Sequence, residues 1–363
     1  MKNWNSIKKL HIEISSKCNA ACPMCNRYPT ASYYEHPFIQ DDWMWTLADV
    51  KQRLPAEDLV GINSYLINGT IGDFIVNPEA LEIIQYLHEC SPQAGFYINT
   101  NGSARSSNWW KALATIPKVI VNFAIDGLAD THSLYRRNTN WSTIISNAKT
   151  FMEAGGQADW TMTVFEHNKH QIDECFALSK SLGFKTFVNR NSERPNVMAI
   201  NKDGQPSHWI KSPDLKNPDR PYNTVVIKEK EYKKNIFFSY QILKSKPLPS
   251  TNFCESISQS SIYIGSNWAV VPCCNFGALT VNKQLDRRWN NFVKALSDNN
   301  LNLNDFFATN TKTVRQVFEQ GFDWIYDRIL TDDALVTCYV NCHPTDSTFQ
   351  RSKQSLQKNI LIK

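Results

Sequence analysis

The ten cysteines of this 363-residue chain fall into groups. Cys18, Cys22 and Cys25 stand in a C-x3-C-x2-C spacing directly after an apolar run. Three thiolates this close on one loop can grip three irons of a cubane cluster, leaving the fourth iron without a protein ligand. An open metal position is where a ligand can be activated. A tetrahedral zinc ion would need a fourth Cys or His nearby. His11 lies inside the preceding strand, on the side expected to be wrong for a ligand, and His36 is a loop residue with no fixed spacing. Cys254, Cys273 and Cys274 form a second group, and Cys338 and Cys342 a third. Cys90 and Cys175 stand alone in helical apolar patterns and read as small buried hydrophobes.

Composition narrows what these groups can mean. The start, MKNWNSIKKLHIEIS, turns polar again after a few apolar residues, so no secretory signal is expected there. The expected compartment is the cytoplasm, where thiols stay reduced and clustered cysteines serve metals or catalysis. No run of 18 apolar residues occurs, which argues against a membrane-spanning helix. A net charge of +5 is too small to argue for a nucleic-acid partner. G-x-S-x-G and H-E-x-x-H are both absent, which disfavours a hydrolase.

The elements that must position these cysteines follow a strand–helix rhythm. Candidate strands are Ile7–Ile14, Ile62–Asn68, Gly95–Thr100, Lys118–Ile125, Ala158–Phe165 and Thr186–Arg190. Helical patterns at 78–89, 143–155 and 169–183 lie between them, the last two stopping on Gly155 and Gly183. Six such repeats imply right-handed parallel crossovers, hence an α/β fold: a doubly wound sheet or a partial (β/α)6 TIM-like barrel. Either gathers its functional loops at the carboxyl ends of the strands. The first cysteine group, Thr100-Asn101-Gly102 and Asp126-Gly127 all fall there. Trp43, Trp45, Trp109 and Trp110 read as packing. His167, Asn189 and Arg190, at the ends of the fifth and sixth strands, are candidates for substrate contact.

With the cysteine spacing and these strand ends in hand, the chain resembles the radical S-adenosylmethionine (radical SAM) superfamily. The resemblance covers roughly the first 190 residues. It implies that Cys18, Cys22 and Cys25 hold a 4Fe-4S cluster whose open iron chelates S-adenosylmethionine, and that reductive cleavage gives a 5′-deoxyadenosyl radical. Ile71-Gly72-Asp73 lies where the family carries Gly-Gly-Glu-Pro; only the second glycine and an acidic residue survive, and Gly69 can supply the lost flexibility. Thr100-Asn101-Gly102 matches the family's Thr-Asn-Gly turn. Ala124-Ile125-Asp126-Gly127 with His132, Tyr135 and Arg136 is similar to the Ser-x-Asp-Gly…His-x-x-Tyr-Arg stretch of peptide-modifying members, although Ala124 lacks the serine hydroxyl. The implied cofactor contacts are Gly69, Gly72, Asp73, Thr100, Asn101, Asp126 and Arg136. Arg136 has the fork that suits a carboxylate.

The remaining cysteines resemble the twitch domain, the shortened SPASM form, behind that core. The resemblance implies an auxiliary 4Fe-4S cluster held by Cys254, Cys273, Cys338 and Cys342, with Cys274 spare. Four domains are expected: a radical SAM core over 1–200, a basic linker over 201–253, a small α+β twitch/SPASM-like domain over 254–345, and a polar tail over 346–363. From Lys202 to Lys246 nine Lys and one Arg stand against five acidic residues, a solvated linker or a basic lip. The second domain opens with a hairpin turning at Gly265-Ser266-Asn267. The implied partners are a reductant such as flavodoxin or ferredoxin and a peptide, protein or small-molecule substrate; the implied activity is that of a radical SAM oxidoreductase or modifying enzyme. The alternative is a non-catalytic zinc- or iron–sulfur-binding interaction module.

Overall fold

The computed structural model describes residues 3–28, 31–37, 39–40, 43–192, 196–213, 254–281, 289–329 and 360–361. Six strands, β1 Lys9–Ile12, β2 Ser64–Ile67, β3 Gly95–Thr100, β4 Val119–Ala124, β5 Gln157–Val164 and β6 Thr186–Asn191, pair in chain order and all in parallel. The six-repeat α/β expectation therefore holds, with strand ends shifted by a residue or two.

Alternation explains why the sheet has two unlike faces. Along β3, Phe96, Ile98 and Thr100 are buried while Gly95, Tyr97 and Asn99 are partly open. Outward-facing Leu10, Ile67, Phe123, Trp160 and Phe187 join one hydrophobic core with the helices. The helix Ala80–Cys90 contributes Ala80, Ile83, Ile84 and Leu87, and the helix Trp141–Glu153 contributes Ile144, Ala148 and Phe151, apolar positions three and four apart. Trp45 and Trp110 are buried in this layer, as packing residues should be. The inward face is polar: His11 on β1, Tyr97 and Asn99 on β3, Asn122 on β4, Thr161 on β5 and Arg190 on β6 border one cavity of about 870 Å³. Residues of β1 and β6 share that cavity although four strands lie between them, so the sheet is curled.

Two boundaries differ from the sequence expectation. The stretch expected to be linker from 201 onward opens inside an antiparallel hairpin, β7 Val197–Ile200 with β8 Pro206–Ile210. Its turn is built by Asn201, whose side chain accepts the Asp203 and Gln205 N–H groups, and by Gly204 at φ 78°. The second difference is larger. The hairpin expected at residues 261–271 exists, β9 Ser261–Ile264 with antiparallel β10 Val270–Val271, but it extends the main sheet. β9 runs parallel to β1, with Lys9 opposite Ser261 and Ile12 opposite Ile264. The helix Val314–Ile329 sends Val314, Val317, Phe318 and Phe322 into the main core, where Phe318 meets Trp4 edge-on at 5.7 Å. A smaller core of Val271, Phe276, Leu279, Trp289, Phe292 and Leu296 lies beneath the helix Cys274–Val281. At the far edge β11 Ile360–Leu361 pairs with β6. Among the described residues no helix is long and apolar enough to cross a membrane.

Candidate functional site

The cavity opens at the carboxyl ends of the strands, and Cys18, Cys22 and Cys25 line it. Their loop is held from beneath by Arg137. Its Nε donates to the Ala21 carbonyl (2.8 Å) while Ala21 N–H donates to the Arg137 carbonyl (2.9 Å), and its other nitrogens reach the carbonyls of Ile200 (2.6 Å), Ser32 (2.8 Å) and Ala31 (3.2 Å). Arg27 braces the other side through Glu35 at 2.7 Å and the Ser16 carbonyl. The sulfurs receive donors of their own: Ala20 N–H to Cys18 Sγ and Arg27 N–H to Cys25 Sγ, both 3.4 Å. Asn101 Nδ2 stands 3.7 Å from Cys18 Sγ, and Arg136 Nη1 3.9 Å from Cys22 Sγ. Burial pushes the Cys22 thiol up to about 11, opposed by Arg136 and reinforced by Cys25; burial, Asp73 and Cys22 hold Cys18 well above the ordinary thiol value. Among the described residues no three His, Cys, Asp or Glu side chains close around a single ion. Thiols gathered at a cavity wall with N–H donors aimed at sulfur are the surroundings an iron–sulfur cluster uses, since such bonds set its potential.

The loop after β2 contains Gly69, Gly72 and Asp73, all at the cavity. Both glycines are close approaches of backbone to backbone. A Cβ on Gly72 would lie 1.8 Å from the Ser15 carbonyl oxygen, and one on Gly69 would lie 1.7 Å from that of Gly72. Asp73 binds this loop to the Thr100-Asn101 turn. Its carboxylate accepts Thr100 Oγ1 (2.9 Å), Asn101 N–H (2.8 Å) and Asn101 Nδ2 (2.9 Å), and burial lifts its pKa to about 6 against these bonds. The turn needs its glycine: Gly102 sits at φ 68°, with Phe123 2.6 Å from where a Cβ would stand.

Asp126 is fully buried and its carboxylate is already engaged. One oxygen holds Arg136 Nε at 2.6 Å and the other accepts Thr163 N–H at 2.6 Å. The structure therefore places Asp126 behind Arg136 and off the cavity wall, while Arg136 lines the wall. Burial disfavours the guanidinium charge, but Asp126 and Cys22 more than offset it, so its pKa lies above the ordinary arginine value.

The expected substrate contacts are split. Arg190 borders the cavity, whereas Asn189 alternates to the other face, where its ladder partner is the buried Met162. Period-two alternation alone could have separated these neighbours. His167 does not border the cavity; its ring stacks on Phe165 at 5.3 Å. Asn168 caps the strand end, accepting Phe165 N–H and donating to the carbonyls of Asp126 and Thr163. His11, expected on the wrong side, shares the inward face of β1 with Lys9 and borders the same cavity as the cysteines. Burial pushes its pKa down to about 4. Of the second cysteine set, Cys254, Cys273 and Cys274 line this cavity as well; Cys338 and Cys342 lie outside the described residues. Glu13, Tyr263 and Arg137 belong to the site too, and no motif in the sequence marks them.

Residues 12–179 match the Radical SAM superfamily model. Among solved structures, anSMEcpe with bound AdoMet and Cp18Cys peptide is 16% identical with a TM-score of 0.50, the match covering 96% of this chain and 95% of that one. A histidine-tagged form of anSMEcpe with bound AdoMet is also 16% identical at TM-score 0.50, over 89% and 80%. Streptococcus suis SuiB bound to S-adenosylmethionine is 15% identical with TM-score 0.47, over 75% of this chain, which spans only 61% of SuiB. The anSMEcpe likeness shows the fold, an α/β architecture with a parallel central sheet. No curated protein matches the chain.

Proposed function

We propose that this chain is a radical SAM enzyme that modifies a peptide, protein or small polar metabolite. One observation carries the reading: Cys18, Cys22, Cys25, the 69–73 loop, Thr100-Asn101 and Arg136 meet at one cavity from four different strand ends. When bound, a 4Fe-4S cluster and S-adenosylmethionine would supply a 5′-deoxyadenosyl radical by one-electron reduction of the sulfonium, the electron coming from a flavodoxin- or ferredoxin-like donor. The chain's own residues prepare that site. Cys18, Cys22 and Cys25 would hold the cluster, with backbone N–H groups on two of the sulfurs. Arg136, steered through Nε by Asp126 and with Nη1 facing Cys22 Sγ, would offer Nη2 to a carboxylate. The 69–72 loop offers backbone carbonyls to an ammonium group. Asn99, Asn122 and Thr161, linked by hydrogen bonds of 2.6 and 2.8 Å, form a polar floor for a hydrogen-bonding substrate, with Arg190 at its edge.

We assign an auxiliary 4Fe-4S cluster to Cys254 and Cys273 with Cys338 and Cys342, serving electron transfer or substrate positioning. The support is that Cys254 and Cys273 reach the same cavity. A peptide is the favoured substrate class because the anSMEcpe neighbour of matching length is described with a bound peptide. Anaerobic reconstitution tests the whole reading. The protein should be brown, hold about eight irons, and release 5′-deoxyadenosine from S-adenosylmethionine on reduction. Colourless protein with stoichiometric zinc would contradict it.

A further inference from the structure

We propose that Glu13 is the positioning residue for the 69–72 loop and that Tyr263, from the C-terminal hairpin, sets Glu13, so that the hairpin governs S-adenosylmethionine binding. This rests on the assignment of that loop to the cofactor. Glu13 follows β1 and is 3% exposed. Its Oε1 accepts the N–H groups of Ile71 and Gly72, each at 2.9 Å, and its Oε2 accepts the Tyr263 hydroxyl. No Lys or Arg among the described residues pairs with it. A buried carboxylate with no cation is costly, so its few donors determine where it sits.

The consequence for the loop follows from peptide geometry. In a trans peptide the N–H and the C=O point in opposite directions. Two successive N–H groups held by Glu13 therefore turn the carbonyls of Thr70 and Ile71 away from it, and Thr70, Ile71 and Gly72 all border the cavity. Glu13 thus fixes which way two acceptors face in a loop that has no helix or strand to fix them.

Tyr263 is the latch. It is 2% exposed and 250 residues from Glu13 in sequence. Its hydroxyl also meets Thr70 Oγ1 at 3.3 Å, and its ring stands edge-on to His11 at 4.9 Å. The ring lies against Gly277, where a Cβ would approach it to 2.2 Å. That glycine belongs to the helix Cys274–Val281, so displacement of the helix start at Cys273-Cys274 would reach the loop through one ring and one carboxylate.

The test uses reconstituted full-length protein, S-adenosylmethionine and no reductant, so that binding is read without turnover. Titration calorimetry should show Tyr263→Phe weakening the affinity about tenfold and Glu13→Gln more, the loss expected for removing hydrogen bonds to a charged group. Iron content and the melting transition of Tyr263→Phe should stay near the parent, because the ring packing is retained. The double variant should be no weaker than Glu13→Gln alone, since both act through one carboxylate. Parent-like binding by Tyr263→Phe and Glu13→Gln overturns the latch while leaving the cofactor reading intact. Absence of binding by the parent itself overturns both.

Discussion

Asp126 and Arg136 meet at 2.6 Å through Oδ2 and Nε, with the carboxylate fully buried and the guanidinium at the cavity wall. The second Asp126 oxygen is fixed by Thr163 N–H, so the pair behaves as one rigid bracket on the ends of β4 and β5. Arg136→Ala removes a charge-assisted contact to the bound carboxylate, worth about 1.5–3 kcal/mol, or roughly ten- to hundred-fold in S-adenosylmethionine affinity. Asp126→Ala should cost about as much because it frees the guanidinium to move, and the two losses should not add. Calorimetry on reconstituted protein checks this; unchanged affinity in Arg136→Ala would place its fork away from the cofactor.

Gly72→Ala gives a sharper steric test. Its Cβ would stand 1.8 Å from the Ser15 carbonyl oxygen, so the loop must move off its seat. Iron content should be retained, because the cysteine loop is held separately by Arg137 and Arg27, while S-adenosylmethionine binding is lost. Normal binding by Gly72→Ala would show that the loop does not contact the cofactor.

Arg137 should matter for metal loading. It is 6% exposed and donates to four backbone carbonyls around the cysteine loop. Arg137→Ala leaves buried acceptors unpaired, at about 1–3 kcal/mol for each that water cannot reach. Iron per chain should fall well below the parent after identical reconstitution. Full loading would mean that the loop keeps its shape without this brace.

Acid should act through His132. Burial, opposed by Asp126 and reinforced by Arg136, pushes its pKa down to about 4, and Nδ1 accepts Asp126 N–H while Nε2 pairs with Thr139 Oγ1. The folded value lies below the unfolded one of about 6.5. The stabilisation is therefore present above about pH 6.5 and is lost as the pH falls through that window towards 4. The melting advantage of the parent over His132→Gln should shrink steadily from about pH 7 to pH 4. A constant advantage would show that the ring is not held neutral by the fold.

Much of this arrangement is legible in the sequence where a local pattern carries it. β3 emerges with its bounds intact because apolar and polar residues alternate up to an Asn-Gly turn. The cysteine loop is visible because its three cysteines lie within eight residues. What escapes is long-range. Nothing in the period of residues 261–264 says that they will lie beside residues 9–12, since a parallel partner leaves no turn signal. The sequence thus suggests a separate unit where the chain adds a strand to the sheet. For the same reason Tyr263 cannot be matched with Glu13. Asp126 reads as a cofactor contact in the sequence because it stands in the same motif as Arg136; only geometry shows its carboxylate already paired with Arg136 and off the cavity wall.

Everything proposed for the cavity depends on Cys18, Cys22 and Cys25 holding the reactive metal. The most direct measurement is reductive release of 5′-deoxyadenosine from S-adenosylmethionine by the triple Cys18→Ala, Cys22→Ala, Cys25→Ala protein, read beside its iron content under anaerobic conditions. This variant should lose about four irons and make no 5′-deoxyadenosine, while a Cys273→Ala protein should still make it. Parent-rate formation of 5′-deoxyadenosine by the triple variant would put the reactive metal elsewhere than on these three cysteines.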